Sequence, residues 1–187
     1  MMRATRGNCQ WYFHSLAYVC SLTQTVQIGT YHTPSTTRVM PMPMLHDPSV
    51  RSSLEARLDT IQPDSQRQWG SMSVDQMLWH VNQFLSASLG EGSLQPQKSP
   101  MPAALMRFFL LNMPWPKSAP TNKSAVAQGE YDFEAERSKC KDLIAKFVSR
   151  PVNGEWPVDP SFGTVTGKFA SRLHAKHLDH HFRQFKA

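Results

Sequence analysis

From residue 47 onward, apolar and polar positions alternate with helical spacing. Val50, Leu54, Leu58 and Ile61 recur every three or four residues, which places them on one face of a helix. Asp47 can cap that helix, Pro48 suits its first position, and Pro63 ends it. A second helix begins at Ser73-Val-Asp-Gln76, a capping-box pattern. Its inward stripe is Met77, Val81, Phe84 or Leu85, and Leu89, with Gly90 as the stop. His80 lies beside that stripe.

Residues 91 to 100 are polar and predict a loop. A short helix is predicted from Pro102 to Asn112, before Pro114-Trp115-Pro116 forces an extended turn. Residues 117 to 130 suggest a surface excursion. The next helix is predicted from Tyr131 to Ser149, with Phe133, Cys140, Leu143, Ile144 and Phe147 near one face. Pro151 and Gly154 close it, and Trp156-Pro-Val-Asp-Pro160 makes a second irregular connection. Thr164 or Thr166 then opens a final helix running to Phe185. Strand signals are weak and no solenoid repeat is present. The expected fold is therefore all-α: an up-down four-helix bundle with a short extra helix and long connecting loops.

The first 43 residues break this pattern. They hold Arg3, Arg6 and Arg38 but no acid, and they show no sustained period. The expected organisation is a disordered or non-native extension over 1–43 and one helical domain over 44–187, with Met40, Met42 and Met44 as alternative starts. Gln10, His14 and Ser15 spoil the Trp11–Leu22 stretch as a signal-peptide core, so the expected location is cytoplasmic.

The division also changes the meaning of the charge. Of the formal +6, the extension supplies three, leaving 17 basic and 14 acidic residues spread singly over the rest. That balance describes a solvated surface and argues against a nucleic-acid partner. No apolar run reaches the roughly 18 residues needed to span a membrane, so no membrane partner is expected. Cys9, Cys20 and Cys140 lack CxxC spacing, which fits a reducing compartment and makes Cys140 a packing residue rather than a catalytic thiol.

Candidate chemistry lies with the histidines. Four of the eight fall between positions 174 and 181. Residues four apart on a helix differ by about 40° of rotation and about 6 Å of rise, so His177 and His181 can reach one ion. Phe169 and Leu173 precede them at intervals of four, so the pair extends a core-facing stripe. A buried imidazole needs a hydrogen-bond partner or a metal, and no acid shares that stripe. His174 offers a weaker pairing with His177, and His180 points away from His181. With His80 from the second helix, the set becomes the three-ligand arrangement of an open zinc-type site. The opposing reading keeps these histidines as polar core.

Two stretches carry a resemblance. Trp69-Gly-Ser-Met72 followed by Gln76-Met-Leu-Trp-His80 is one; Ser161-Phe-Gly163 followed by Lys176-His-Leu-Asp-His-His-Phe-Arg-Gln184 is the other. Together with Pro114-Trp-Pro-Lys117 and Ala119-Pro-Thr121, they resemble the DinB-like (YfiT-type) superfamily of metal-binding four-helix bundles, in particular a bacterial branch labelled a domain of unknown function. The likeness covers about residues 50 to 187. It implies a divalent transition metal, nickel or zinc, on His80, His177 and His181. It further implies a small-molecule substrate such as a low-molecular-weight thiol, and transferase or hydrolase chemistry. Whether the chain is an enzyme stays open against a non-catalytic metal-binding or interaction bundle, and a homodimer also stays open. Asp159-Pro160 stands where the branch often has His-Pro. Asp179, His180 and Arg183 are candidates for catalytic or supporting roles beside the ligands, and Gln184 for orienting a ligand or capping the helix. Trp79 and Trp115 could line a pocket or fill the core.

Overall fold

The computed structural model describes residues 42–97, 101–117 and 121–187, and these contain five α-helices and no strand. The expected 1–43 extension, with Cys9 and Cys20, lies outside the described residues except for its last two positions. In chain order the helices are α1 (Pro48–Thr60), α2 (Val74–Ser88), α3 (Ala103–Asn112), α4 (Phe133–Ser149) and α5 (Gly167–Gln184).

The capping chemistry sets most boundaries. Asp47 Oδ1 accepts from Ser49 N at 2.9 Å, with Pro48 following at the first helical position. Gln76 Oε1 accepts from Ser73 N at 3.1 Å, the closing half of a capping box. α2 ends in Gly90 at φ +79°, a left-handed turn that glycine adopts without a Cβ clash. Two starts differ from expectation. Asp132 caps α4 by accepting from Ala135 N at 2.8 Å, so Tyr131 stays outside the helix. Thr166, not Thr164, caps α5 by accepting from Phe169 N at 3.2 Å.

The stripes read from the sequence meet in one core. Leu54, Leu58, Met77, Leu78, Val81, Leu85, Ile144, Phe147, Leu178 and Phe182 all lie within it. α2 makes its broadest contact with α4, and α5 packs against α1, α2 and α3. Cys140 is a free thiol fully inside this core; burial, with Glu136 nearby, pushes its pKa up to about 12, so it does not ionise at neutral pH.

His46 was not among the histidines singled out from the sequence, yet it ties three segments together. Its Nε2 donates to the Arg150 carbonyl at 2.9 Å, which leaves Nδ1 to accept from Ser171 Oγ at 2.9 Å. α3 is the exception to the core: none of its residues is buried, and Leu105, Phe108 and Phe109 are exposed. Lys176 holds it, donating to the carbonyls of Leu110 (2.7 Å), Leu111 (3.2 Å) and Met113 (2.6 Å). A cation at these carbonyls complements the C-terminal end of the helix dipole, and Trp115 Nε1 also donates to the Leu110 carbonyl at 2.8 Å. No helix among the described residues is long and apolar enough to cross a membrane.

Candidate metal centre

α2 and α5 run side by side in opposite directions, so residues four apart on one meet residues four apart on the other. His80 faces His181 and His177, with ring centroids at 4.9 and 5.2 Å, and His177 and His181 are 4.7 Å apart. One ring nitrogen from each lies within 4.8 Å of the others. All three side chains are buried.

Their hydrogen bonds decide where the protons sit. His80 Nδ1 is 2.8 Å from the Ala125 carbonyl, which can only accept, so Nδ1 carries the proton and Nε2 presents a lone pair. Gln184 Nε2 donates to the Trp69 carbonyl at 2.8 Å, which turns its Oε1 toward His181. Oε1 therefore accepts from His181 Nδ1 at 3.0 Å, and His181 Nε2 is also left with a lone pair. Gly70 makes room for this clamp: at φ +77°, a Cβ there would come within 2.7 Å of Gln184 Nε2. The Nε2 atoms of His177 and His80 are 3.3 Å apart. Two nitrogens bound at about 2.05 Å to one tetrahedral ion are about 3.3 Å apart. The His80–His177 spacing is that of two ligands on one ion.

Electrostatics keep these rings neutral. Burial first, then the neighbouring histidines His181 and His80, lower the His177 pKa well below its usual value. Burial lowers His181 to about 3, with His80 adding to the effect and the Gln184 bond opposing it. Burial also lowers His80, against the Ala125 bond. Neutral imidazole is the form that ligates a metal.

The cluster opens into a cavity of about 870 Å³. Phe84, Met106, Phe109, Leu110, Trp115, Phe162 and Leu173 give it a mainly apolar wall. Phe84 stands edge-on to both His80 and His177 at 5.0 Å. Trp115 tilts over His177 at 5.7 Å, and so it belongs to the cavity wall. Trp79 stacks instead on Tyr131, away from the cavity.

The other expected residues separate into those that reach this cavity and those that do not. His180 does not point away: half-buried, it lines the cavity between Trp69 and Trp115, at 5.7 and 5.5 Å. Its one-residue offset from His181 keeps it out of the three-histidine cluster but leaves it at the rim. His174 does not pair with His177. Its Nε2 meets Ser88 Oγ at 2.7 Å deeper in the cavity, while its Nδ1 is buried without a partner. Asp159 lines the cavity, with Oδ1 accepting from Ser161 N and Phe162 N; burial raises its pKa against those bonds. Asp179 faces elsewhere, ion-paired to Arg57 at 2.8 Å and Arg183 at 2.9 Å, and Arg183 is exposed. Neither is placed to touch a bound molecule.

Two supports were missed from the sequence. Ala125 belongs to a short 3-10 turn, Lys123–Ala125, inside the expected excursion, and it acts through its backbone, which carries no side-chain signature. The Ser88–His174 contact joins residues 86 apart, and nothing local announces it. Comparison of the chain with protein-family models, curated proteins and solved structures finds no match.

Proposed function

We propose that His80, His177 and His181 bind one divalent transition metal, with zinc or nickel as the first choices, and that the adjoining cavity brings a small-molecule substrate to it. The observation that carries this reading is the pair of supports behind the cluster. Ala125 and Gln184 hold the Nδ1 protons of His80 and His181, which aims both Nε2 lone pairs inward. Metal ligation through Nε2 requires this tautomer, and an acceptor behind Nδ1 is what metal-bound histidines ordinarily have.

Three protein ligands leave coordination positions open, the usual difference between a catalytic and a closed structural zinc site. Such an ion acidifies a bound water or thiol toward neutrality, supplying a nucleophile for transferase or hydrolase chemistry. Around it, Phe84 and Trp115 exclude water, and Ala125 and Gln184 keep the ligands oriented. His180, at the rim with its ring 5.2 Å from that of His181, is placed to pass a proton. We read the four longer helices as an up-down bundle of the DinB type, which makes a low-molecular-weight thiol one candidate substrate.

The test is elemental analysis of the purified full chain, before and after incubation with zinc, nickel or manganese. We expect close to one equivalent of metal, lost in His177→Ala. A folded protein that takes up none of the three refutes the reading. Metal loss accompanied by global unfolding of His177→Ala assigns the ion a structural role instead.

A further inference from the structure

The facing surfaces of α2 and α5 carry polar groups at two depths. At one end stand His80, His177 and His181. Two helical turns further along α2, Ser88 meets His174 of α5 at 2.7 Å, and both line the same cavity. Phe84 occupies the turn between them, its ring against His177. Eight residues of helix separate His80 from Ser88, a rise of about 12 Å. The cavity wall is therefore mainly apolar, with the metal-ligating cluster and the neutral Ser88–His174 pair set apart along it; Asp159 and Asn122 are among its other polar groups.

We infer that the ligand of this cavity is an elongated, largely apolar molecule, with a metal-ligating head at the three histidines and a neutral hydrogen-bonding group about 10–12 Å away that binds Ser88. This rests on the metal reading above. A carboxylate is disfavoured there because the Ser88–His174 pair offers it no positive charge and the carboxyl of Asp159 lines the same cavity. It is polar because Ser88 is buried and bonded to His174 through one position only, leaving its oxygen capacity for a further bond. His174 acts as a positioning residue here, fixing the direction in which the Ser88 hydroxyl points.

The experiment uses the full chain loaded with cobalt(II), whose visible spectrum reports both metal uptake and head-group ligation. Octanohydroxamic acid and 8-hydroxyoctanohydroxamic acid share a head and differ only by a terminal hydroxyl, which the eight-carbon chain carries to the depth of Ser88. We expect the hydroxylated compound to bind about fivefold to tenfold more tightly, the effect of one buried hydrogen bond. Ser88→Ala should remove that preference while leaving cobalt uptake unchanged. A four-carbon pair, too short to reach Ser88, should show no preference in the unmodified chain. If cobalt binds but the eight-carbon pair binds equally, or if Ser88→Ala keeps the preference, this inference is overturned and the metal reading stands. If cobalt does not bind the three histidines, both fall together.

Discussion

Gln184 offers the sharpest probe of the candidate centre, because it touches no expected ligand position of the ion and acts only through His181. Replacing it with methionine keeps most of its volume and removes both polar ends. His181 Nδ1 loses its acceptor, now at 3.0 Å, and the Trp69 carbonyl loses its donor, now at 2.8 Å. With no acceptor behind it, His181 is free to place its proton on Nε2, the atom that faces His80, and that tautomer cannot ligate. Removing a supporting partner of a ligating histidine costs 10- to 100-fold in metal affinity, or about 1.4–2.7 kcal/mol. The unpaired Trp69 carbonyl costs a further 1–3 kcal/mol or so of fold stability, with or without metal. The two effects are separable. Competition of zinc against a chromophoric chelator gives the affinity, and denaturant unfolding in excess chelator gives the metal-free stability. A Gln184→Met protein that holds zinc within twofold of the unmodified chain, while His181→Ala loses it, would show that the Gln184 bond does not prepare the ligand, and the argument from tautomers would fail.

Further expectations concern the fold and its response to acid. Metal-free protein should be most stable above pH 6.5 and lose stability as pH falls toward 3. Buried His174 and His181 stay neutral in the folded state until about pH 3, whereas the unfolded chain takes up protons at the ordinary histidine value. Each such histidine costs about 1.4 kcal/mol per pH unit through that window, so His174→Gln should flatten the dependence; an unchanged slope in urea titrations at pH 7.5, 5.5 and 4.5 would contradict it. Asp179→Asn should leave zinc affinity unchanged in the same chelator competition and cost under about 1 kcal/mol of stability, since its partners are partly exposed arginines. Lys176→Ala should speed amide hydrogen exchange in α3 and leave α2 and α4 protected, because only α3 depends on that ammonium for its terminal carbonyls. Phe147→Ala, at the centre of the core, should cost about 3–5 kcal/mol in denaturant unfolding.

How much of this was legible in advance follows from the range of the forces involved. The five helices could be read because apolar spacing and caps act over three to eight residues: Asp47, Gln76 and Gly90 sit where local chemistry needs them. The pairing of His177 with His181 is equally local, a matter of one helical turn. His80 was added more through a resemblance than through spacing, because nothing in its own helix says which helix it faces.

Everything that turns three imidazoles into a candidate site is non-local. The Ala125 carbonyl comes from a turn 45 residues beyond His80, and the Trp69 carbonyl that orients Gln184 lies 115 residues from it. Helical phase alone pointed His180 away from His181 and offered His174 a weaker pairing with His177. Tertiary packing put His180 at the rim between two tryptophans and gave His174 to Ser88. Asp179, beside the ligands in sequence, was drawn outward by Arg57 and Arg183. By itself, then, the sequence determined which faces of which helices are apolar and that a histidine pair lies on one of them, since periodicity and capping are short-range. Only the tertiary structure decided which backbone carbonyls and amides stand behind those histidines, because a hydrogen-bond partner supplied from across the fold leaves no mark in the local pattern.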